Sequence, residues 1–403
     1  MRKIKRIMLL LFLLLPLLSG CWNQQELTDL AFVMGIGIDK GSEDYKYKIT
    51  FQIVIPGNVS AGHEGGGGGG GGIPIVIIQS EGDTLTEAAR KATKSISRRL
   101  YYAHSNLVVA SEDLAKEGFF DTLDALERDP EFRTTSQIII ARKSTAEDIL
   151  TTLTNIDKLP VEKITKGLES TERRLGENIQ VTIDDLISGI VSKGKEPLIT
   201  GYRVYGKKEK GKTNENLETT DPPARLDVDG MAVIKDGKLV GWLDNENARG
   251  AVWVLDKVES TGINIDWNGK KNAVNMIPIR SKTSVSAEVK NGKPLITVFI
   301  EEEGSLSEAN TALDIMDEEV IIKLEKKVEE KIKMQVESAI KEAQKQKSDV
   351  FGFGEKVHRA DPKYWKKVQG EWNEHFAEIE PEVKVDFHYR RSGIRTNPFW
   401  SDL

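Results

Sequence analysis

Cysteine and histidine are both scarce in this sequence of 403 residues, and the only cysteine is Cys21. A single thiol cannot form a disulfide within one chain, even in a compartment that permits disulfides. The five histidines are isolated in sequence, at His63, His104, His358, His375 and His388. Because the sequence has no HExxH motif and no close pair of histidines, we predict neither a metal nor a cofactor.

The sequence also lacks the motifs of common hydrolytic enzymes. No serine lies in a GxSxG elbow. The adjacent carboxylates Asp184-Asp185 and Glu301-Glu302-Glu303 fall at the ends of predicted elements, where solvation or a helix N-terminus accounts for them. We therefore predict that this protein has no catalytic residues and is not an enzyme.

The chain after residue 20 has fewer positive than negative charges. The formal net charge is −6, and residues 1–20 carry four positive and no negative charges, so the remainder carries −10. Such an acidic body disfavours binding to nucleic acid and electrostatic attachment to anionic lipid. With 39% hydrophobic and 30% charged residues, the chain is typical of globular proteins and long enough for two or three domains.

The N-terminus has the features of a lipoprotein signal peptide. Four basic residues precede an apolar run over residues 7–18, and the small residues Ser19 and Gly20 precede Cys21. The run is interrupted by Pro16 and is shorter than the roughly 20 residues that a transmembrane helix needs. We predict that residues 1–20 form a signal peptide that is cleaved before Cys21.

Cys21 is then the predicted lipidation site, an N-acyl and S-diacylglycerol cysteine carrying chains such as palmitate. Each acyl CH₂ buried in a membrane contributes roughly 0.8 kcal/mol, so the lipid would anchor the mature protein to the outer face of the cell membrane. Two alternatives stay open at this point. One is a retained membrane span, and the other is an ordinary cleaved signal in which Cys21 has no role.

Residues 21–205 are predicted to form a mixed α/β region, with a division into two subdomains left open. Alternating apolar residues and turn signals predict strands over residues 30–39, 45–55, 73–77, 105–110, 133–141 and 198–205. Capping residues and apolar stripes predict helices over residues 84–99 and 112–126, and further helices that begin near Thr145, Pro160 and Thr182.

A glycine-rich loop over residues 62–72 interrupts this region. The tract from residue 65 to 72 satisfies a GxGxxG pattern, but it leads into a predicted strand rather than a helix. A phosphate-binding loop needs glycines at set positions before a helix, so we predict an extended linker-like loop instead.

Residues 206–224 contain few apolar residues and include two consecutive prolines, which predicts a linker between domains. Residues 225–403 are then predicted to form an α+β domain. Its turn signals are Asp236-Gly237 and Asn291-Gly292, and a helix over residues 311–345 carries an apolar stripe that would pack on an antiparallel sheet. The predicted fold class is therefore α+β with mixed α/β modules, in a multidomain protein.

Four aromatic residues near the end of the chain are candidate contact residues: Phe351, Phe353, Trp365 and Trp372. Core packing explains such residues in most proteins. The alternative is that they anchor a protein partner at an interface. The same region contains Asp361-Pro362, which predicts the start of a helix, and an alternating strand over residues 382–389.

The sequence resembles the Ger(x)C family of spore germination lipoproteins, the C subunits of nutrient germinant receptors. The resemblance spans nearly the whole chain. It is carried by the lipobox with Cys21-Trp22, Gly35-Ile36-Gly37-Ile38-Asp39, Met231-Ala232-Val233, Lys238-Leu239-Val240-Gly241-Trp242-Leu243, residues 349–354, Asp361-Pro362, Trp365, Glu371-Trp372, Phe376 and Gly393-Ile394-Arg395.

This resemblance implies an elongated α/β protein of distinct small domains. It also implies a membrane-anchored, non-catalytic subunit that acts in spore germination through contacts with the membrane-embedded A and B subunits of the receptor. In spores it implies the outer face of the inner membrane, with the small-molecule germinant bound by another subunit. The family supplies no active residue to transfer beyond Cys21. The glycine tract departs from the family pattern.

Two other functions remain open from the sequence. A solute-binding lipoprotein would capture a small ligand and deliver it to a membrane transporter, but such proteins usually have two α/β lobes with parallel sheets. A cell-wall enzyme would need polar groups that converge in a cleft.

Overall fold

The computed structural model describes Ile4 and residues 26–60 and 72–390. The predicted cleavage site with Cys21, residues 61–71 of the glycine-rich loop and the tail from residue 391 onward lie outside the described residues.

Two sheets organise the described residues. The strands of the first sheet are β1 (Leu30–Lys40), β2 (Tyr47–Val54), β3 (Ile75–Gly82), β4 (Arg99–Tyr101), β5 (Leu107–Ser111), β6 (Gln137–Ala141), β7 (Leu198–Gly206), β8 (Ala224–Lys235) and β9 (Lys238–Leu243). Their order is β3-β2-β1-β5-β6-β7-β8-β9, with β4 paired to β1. The central strands β1, β5, β6 and β7 run parallel, whereas the pairs at both ends of the sheet are antiparallel.

Helices cover both faces of this sheet. They are α1 (Pro56–Ser60), α2 (Leu85–Ala92), α3 (Glu112–Glu117), α4 (Phe120–Arg128), α5 (Ala146–Thr151), α6 (Pro160–Leu175) and α7 (Ile183–Val191). In β5, Val108 and Ala110 join one apolar core while Leu107 and Val109 join the core on the opposite face. A strand buried on both sides needs apolar residues on both faces, and β5 has them from Leu107 to Ala110.

Local signals predicted most of these elements, and the capping boxes at Thr145 and Thr182 are both formed. Two predicted helices are shorter than expected. The first ends at Ala92, after which a single 3₁₀ turn leads to β4. The stretch 112–126 forms two helices, because Gly118 adopts a φ of 125° that ends α3 and redirects the chain into α4.

The stretch predicted as a linker contains two short helices, α8 (Lys208–Gly211) and α9 (Glu215–Glu218). The buried amide of Asn216 donates to the carbonyl oxygens of Leu153 and Ala224, and its oxygen accepts from the Ala224 N–H. Beyond this stretch, β8 pairs with β7, so the first sheet continues past residue 224. The division of the chain into domains stays a prediction.

The second sheet has the order β10 (Ile263–Trp267), β11 (Lys270–Lys290), β12 (Lys293–Ala309) and β13 (Glu382–Tyr389). The antiparallel pairing of β10, β11 and β12 matches the prediction. Asn291 and Gly292, with φ of 52° and 74°, form the predicted turn between β11 and β12. The closing strand β13 adds parallel to β12, which the sequence pattern did not indicate.

Five helices pack with the second sheet. They are α10 (Asn245–Val254), α11 (Glu318–Lys345), α12 (Phe353–Ala360), α13 (Pro362–Val368) and α14 (Trp372–Glu378). The long helix α11 begins seven residues later than predicted, where the Asp317 carboxylate accepts from the Glu319 N–H. Its predicted stripe is buried at Leu324, Val328, Ile332, Val336 and Ile340, and each such side chain contributes about 1.5–3 kcal/mol.

Candidate functional site

The four aromatic candidates lie inside the core of the second sheet. Their exposed fractions are 6% for Phe351, 0% for Phe353, 3% for Trp365 and 4% for Trp372. The ring centroids of Phe351 and Phe353 are 5.6 Å apart, and those of Trp365 and Trp372 are 5.2 Å apart. Core packing therefore accounts for these side chains, and their contact with a partner stays a prediction.

The same aromatic cluster surrounds a carboxylate that is fully buried, that of Asp349. Its Oδ1 accepts from the Phe353 N–H at 3.1 Å, and its Oδ2 accepts from the Gly354 N–H at 2.8 Å and from Trp372 Nε1 at 2.7 Å. Burial raises the pKa of the Asp349 carboxyl to about 6, and these donors oppose the rise. At neutral pH the carboxylate is ionised and stabilised by hydrogen bonds alone.

The local sequence explains this arrangement. Gly352 has a φ of 71° and immediately precedes α12, so the chain turns sharply and aims the first N–H groups of the helix back at Asp349. A carboxylate at a helix N-terminus is the favoured partner for these groups. Asp349 thus fixes the start of α12 and, through Trp372, the start of α14.

The segment after α7, in the first half of the chain, runs against this cluster. The Glu196 N–H donates to the Asp349 carbonyl oxygen at 2.8 Å, and the Glu355 N–H donates to the Gly194 carbonyl oxygen at 3.2 Å. A Cβ on Gly354 would lie 2.6 Å from the Gly194 Cα, which no real contact allows. Glycine at both positions therefore permits two backbone segments to meet directly.

Side chains reinforce the same contact. The Glu196 carboxylate accepts from Asn373 Nδ2 at 3.0 Å and from the Asp236 N–H at 3.3 Å, and burial raises its pKa. The Ser348 hydroxyl donates to the Ile234 carbonyl oxygen at 2.7 Å. We call these contacting segments, residues 192–197, 234–237, 348–355 and 372–373, the joint. It connects the first sheet to the helices of the second.

The hydrogen bonds of the joint hold its segments in place. Both oxygens of Asp349 are occupied by donors from its own fold, and the group is sealed from solvent. A cleft of about 280 Å³ lies beside it, lined in part by Ser192, Lys195 and Glu196. Across the described residues, no three His, Cys, Asp or Glu side chains are placed to share a metal ion.

Sequence reasoning singled out the run at residues 349–354 but missed what Asp349 and Glu196 do. The available signal was an acidic residue, Asp349, separated only by Val350 from a Phe-Gly-Phe-Gly run, where an exposed carboxylate is not expected. The predicted lipid site, Cys21, lies outside the described residues. Within the described part of the chain, none of the helices is long and apolar enough to span a membrane.

The sequence is similar to known spore germination proteins along nearly its whole length. The family model for the spore germination protein N-terminal domain matches residues 23–204, and the model described as spore germination B3/GerAC like, C-terminal, matches residues 229–393. Spore germination protein KC of Bacillus subtilis (strain 168) is 40% identical over 97% of this chain and 96% of its own length. Spore germination protein B3 of the same organism is 25% identical over 94% of this chain and 95% of its own length.

A solved structure shares the architecture. The crystal structure of the GerBC protein aligns with 92% of this chain and 100% of its own, with a TM-score of 0.53 and 21% sequence identity. This likeness shows the mixed α/β fold with its two sheets. Both family models together cover most of the sequence, including the predicted signature at residues 349–354. The chain therefore belongs to the Ger(x)C family of spore germination proteins, the C-subunit family of germinant receptors.

Proposed function

We propose that this protein is a non-catalytic, lipid-anchored subunit of a receptor complex that acts in spore germination. The observation that carries the proposal is the similarity to spore germination protein KC along almost the entire length of both chains. The lipobox ending at Cys21 supports the anchor, and in this proposal the anchor holds the folded body at the outer face of the membrane.

The partners in this proposal are the membrane-embedded A and B subunits of the receptor, and the small-molecule germinant binds another subunit. A lipid anchor confines the protein to the membrane surface where such partners lie. Confinement raises the effective concentration, so a modest interface is occupied without high intrinsic affinity. The joint supports this role because it connects the two sheets through paired backbone segments, and the body can then present its surfaces in a fixed relation.

Replacement of the predicted lipid site tests the proposal directly. In Cys21→Ala spores the protein should leave the membrane fraction, and germination through this receptor should be lost because the subunit no longer stays near its partners. Fractionation with immunoblotting and the fall in optical density during germination are the measurements.

The matched control is Ser19→Ala, which keeps a small residue before the cleavage site and should leave both the membrane fraction and germination unchanged. A Cys21→Ala protein that stays on the membrane and supports normal germination would contradict the proposal.

A further inference from the structure

The first half of the molecule contains a chamber that the proposed function does not use. It has a volume of about 300 Å³ and lies between the strands β1 and β2 and the helices α2 and α4. Its wall is largely apolar and includes Ile38, Phe51, Leu85, Ala89, Leu126 and Phe132. This size and apolar lining are typical of sites for small molecules.

Polar and charged side chains surround the entrance of the chamber. Arg99, Tyr102 and Asp129 line both the chamber and an adjoining, more polar hollow of about 420 Å³ that opens to solvent. Burial raises the pKa of the Tyr102 hydroxyl to about 12, so this group stays protonated and can donate a hydrogen bond.

Most charges around the entrance are already paired. Arg99 forms an ion pair with Glu131, and Arg128 forms one with Asp124 at 2.7 Å. Two chamber-lining residues differ from these. Among the described residues, neither Arg90 nor Asp129 forms an ion pair within 4.0 Å, and the only hydrogen bond that the Asp129 carboxylate accepts is from the Glu131 N–H, at 2.9 Å.

We infer that the chamber binds a small zwitterion with an apolar body. The body fills the apolar interior, a carboxylate or similar anion of the ligand meets Arg90, and an ammonium meets Asp129. An apolar interior alone would accept any hydrophobic molecule, whereas one unpaired charge of each sign favours a ligand that carries both. The volume suits one compact apolar group and is too small for the two acyl chains of a membrane lipid. This inference does not depend on the proposed function.

Four probes with the same phenyl body separate the contributions of the two charges. They are phenylalanine, 3-phenylpropionate, phenethylamine and 3-phenylpropanol. Titration calorimetry on the full-length protein should show that phenylalanine binds at least tenfold more tightly than each of the other three. Equal affinity for all four probes, or binding of none, would overturn the inference.

Variants locate the binding to the chamber. Arg90→Gln should weaken phenylalanine and 3-phenylpropionate but not phenethylamine, and Asp129→Asn should weaken phenylalanine and phenethylamine but not 3-phenylpropionate. The exposed neighbours Lys94→Gln and Glu127→Gln are the matched controls and should change nothing. If the controls weaken binding as much as the two chamber variants do, the inference is wrong.

A filled chamber gives an independent measurement. Ala89→Phe places a ring in the space where the ligand body would lie, and phenylalanine binding should be lost while the circular dichroism spectrum is retained. Unchanged binding in a folded Ala89→Phe protein would overturn the inference. If this variant does not fold, the two charge variants decide the question. Displacement of phenylalanine by a short-chain zwitterionic lipid at lower concentration would assign the chamber to lipid and overturn it as well.

Discussion

Two buried carboxylates in the second half of the chain show how neighbours, and not burial alone, determine the state of an acid. Asp349 in the joint is 0% exposed and Glu302 on β12 is 1% exposed. Asp349 accepts three hydrogen bonds, whereas neither oxygen of Glu302 has a well-formed hydrogen bond among the described residues. Burial raises the pKa of Asp349 to about 6 and that of Glu302 to about 8.

The difference follows from where each residue lies. Glu302 points into the apolar face of the second sheet, in register with Phe387 on β13. Burial there raises its pKa most, Glu303 raises it further, and the neighbouring Ser281 hydroxyl opposes the rise. Glu302 is therefore largely protonated at neutral pH while Asp349 is largely ionised. Asp349 has hydrogen-bond donors that stabilise its charge, whereas Glu302 stays neutral because it lacks them.

Removal of the Asp349 carboxylate should have the largest effect. Asp349→Ala leaves the N–H groups of Phe353, Gly354 and Trp372 buried without an acceptor, and since each buried polar group left unsatisfied costs about 1–3 kcal/mol, the three together should cost at least about 3 kcal/mol. We expect the free energy of unfolding, measured by urea denaturation at pH 7, to fall by that amount. Glu371→Ala, an exposed acidic residue nearby, should change it by less than about 0.5 kcal/mol. A loss as small as that of the control would show that the three donors find other acceptors.

Glu302→Gln should abolish the pH dependence that Glu302 gives to the free energy of unfolding. The pKa of Glu302 is higher in the folded protein than in the unfolded chain, so the folded state holds its proton more tightly. The stability from this group is complete below the unfolded pKa and is lost as the pH rises toward 8. Between pH 6 and 8, Glu302→Gln should gain about 1.4 kcal/mol per pH unit relative to the unmodified protein. Urea denaturation at several pH values measures this.

The control for the Glu302 experiment is Glu301→Gln, an exposed residue on the opposite face of β12. Its stability should follow that of the unmodified protein at every pH. A constant difference between Glu302→Gln and the unmodified protein from pH 6 to 8 would mean that Glu302 is already ionised in the fold, and the contrast with Asp349 would then disappear.

Crowding of the backbone beside Asp349 should have a smaller effect. In Gly354→Ala the new methyl group would lie 2.6 Å from both the Gly194 Cα and Trp372 Nε1, so the joint must open slightly. Overpacking of this kind costs about 1–3 kcal/mol. Thermal unfolding followed by tryptophan fluorescence is a suitable measurement. Gly370→Ala, where a Cβ meets nothing within 4 Å, is the control and should leave the midpoint unchanged or slightly higher. Equal midpoints for both variants would refute the close packing of the joint.

The sequence predicted features that depend on neighbouring residues. Asn291-Gly292 specifies its turn because both residues tolerate positive φ, and Asp361-Pro362 starts α13 because the Asp361 carboxylate accepts from the Lys363 and Tyr364 N–H groups. These signals lie within four residues of the structure that they specify.

Contacts between distant residues were not predictable in the same way. Asp349 accepts a hydrogen bond from Trp372, 23 residues later in the chain, and another from the N–H of Glu196, more than 150 residues earlier. The surroundings of Asp349 therefore exist only in the folded chain, and the neighbouring sequence does not reveal its hydrogen-bond partners. The parallel pairing of β13 with β12 was not predictable for the same reason. An alternating pattern of apolar residues indicates which face of a strand is buried, but not which strand lies next to it.

The late position of β13 in the chain affects how the second sheet is assembled. At ordinary rates of synthesis, several seconds separate completion of β12 at Ala309 from completion of β13 at Tyr389. During that interval the edge of β12 has unpaired backbone groups, and such an edge can join a strand of another nascent molecule. In the finished sheet, β13 covers this edge of β12 from Thr297 to Gly304, so completion of the last strand removes the exposed edge.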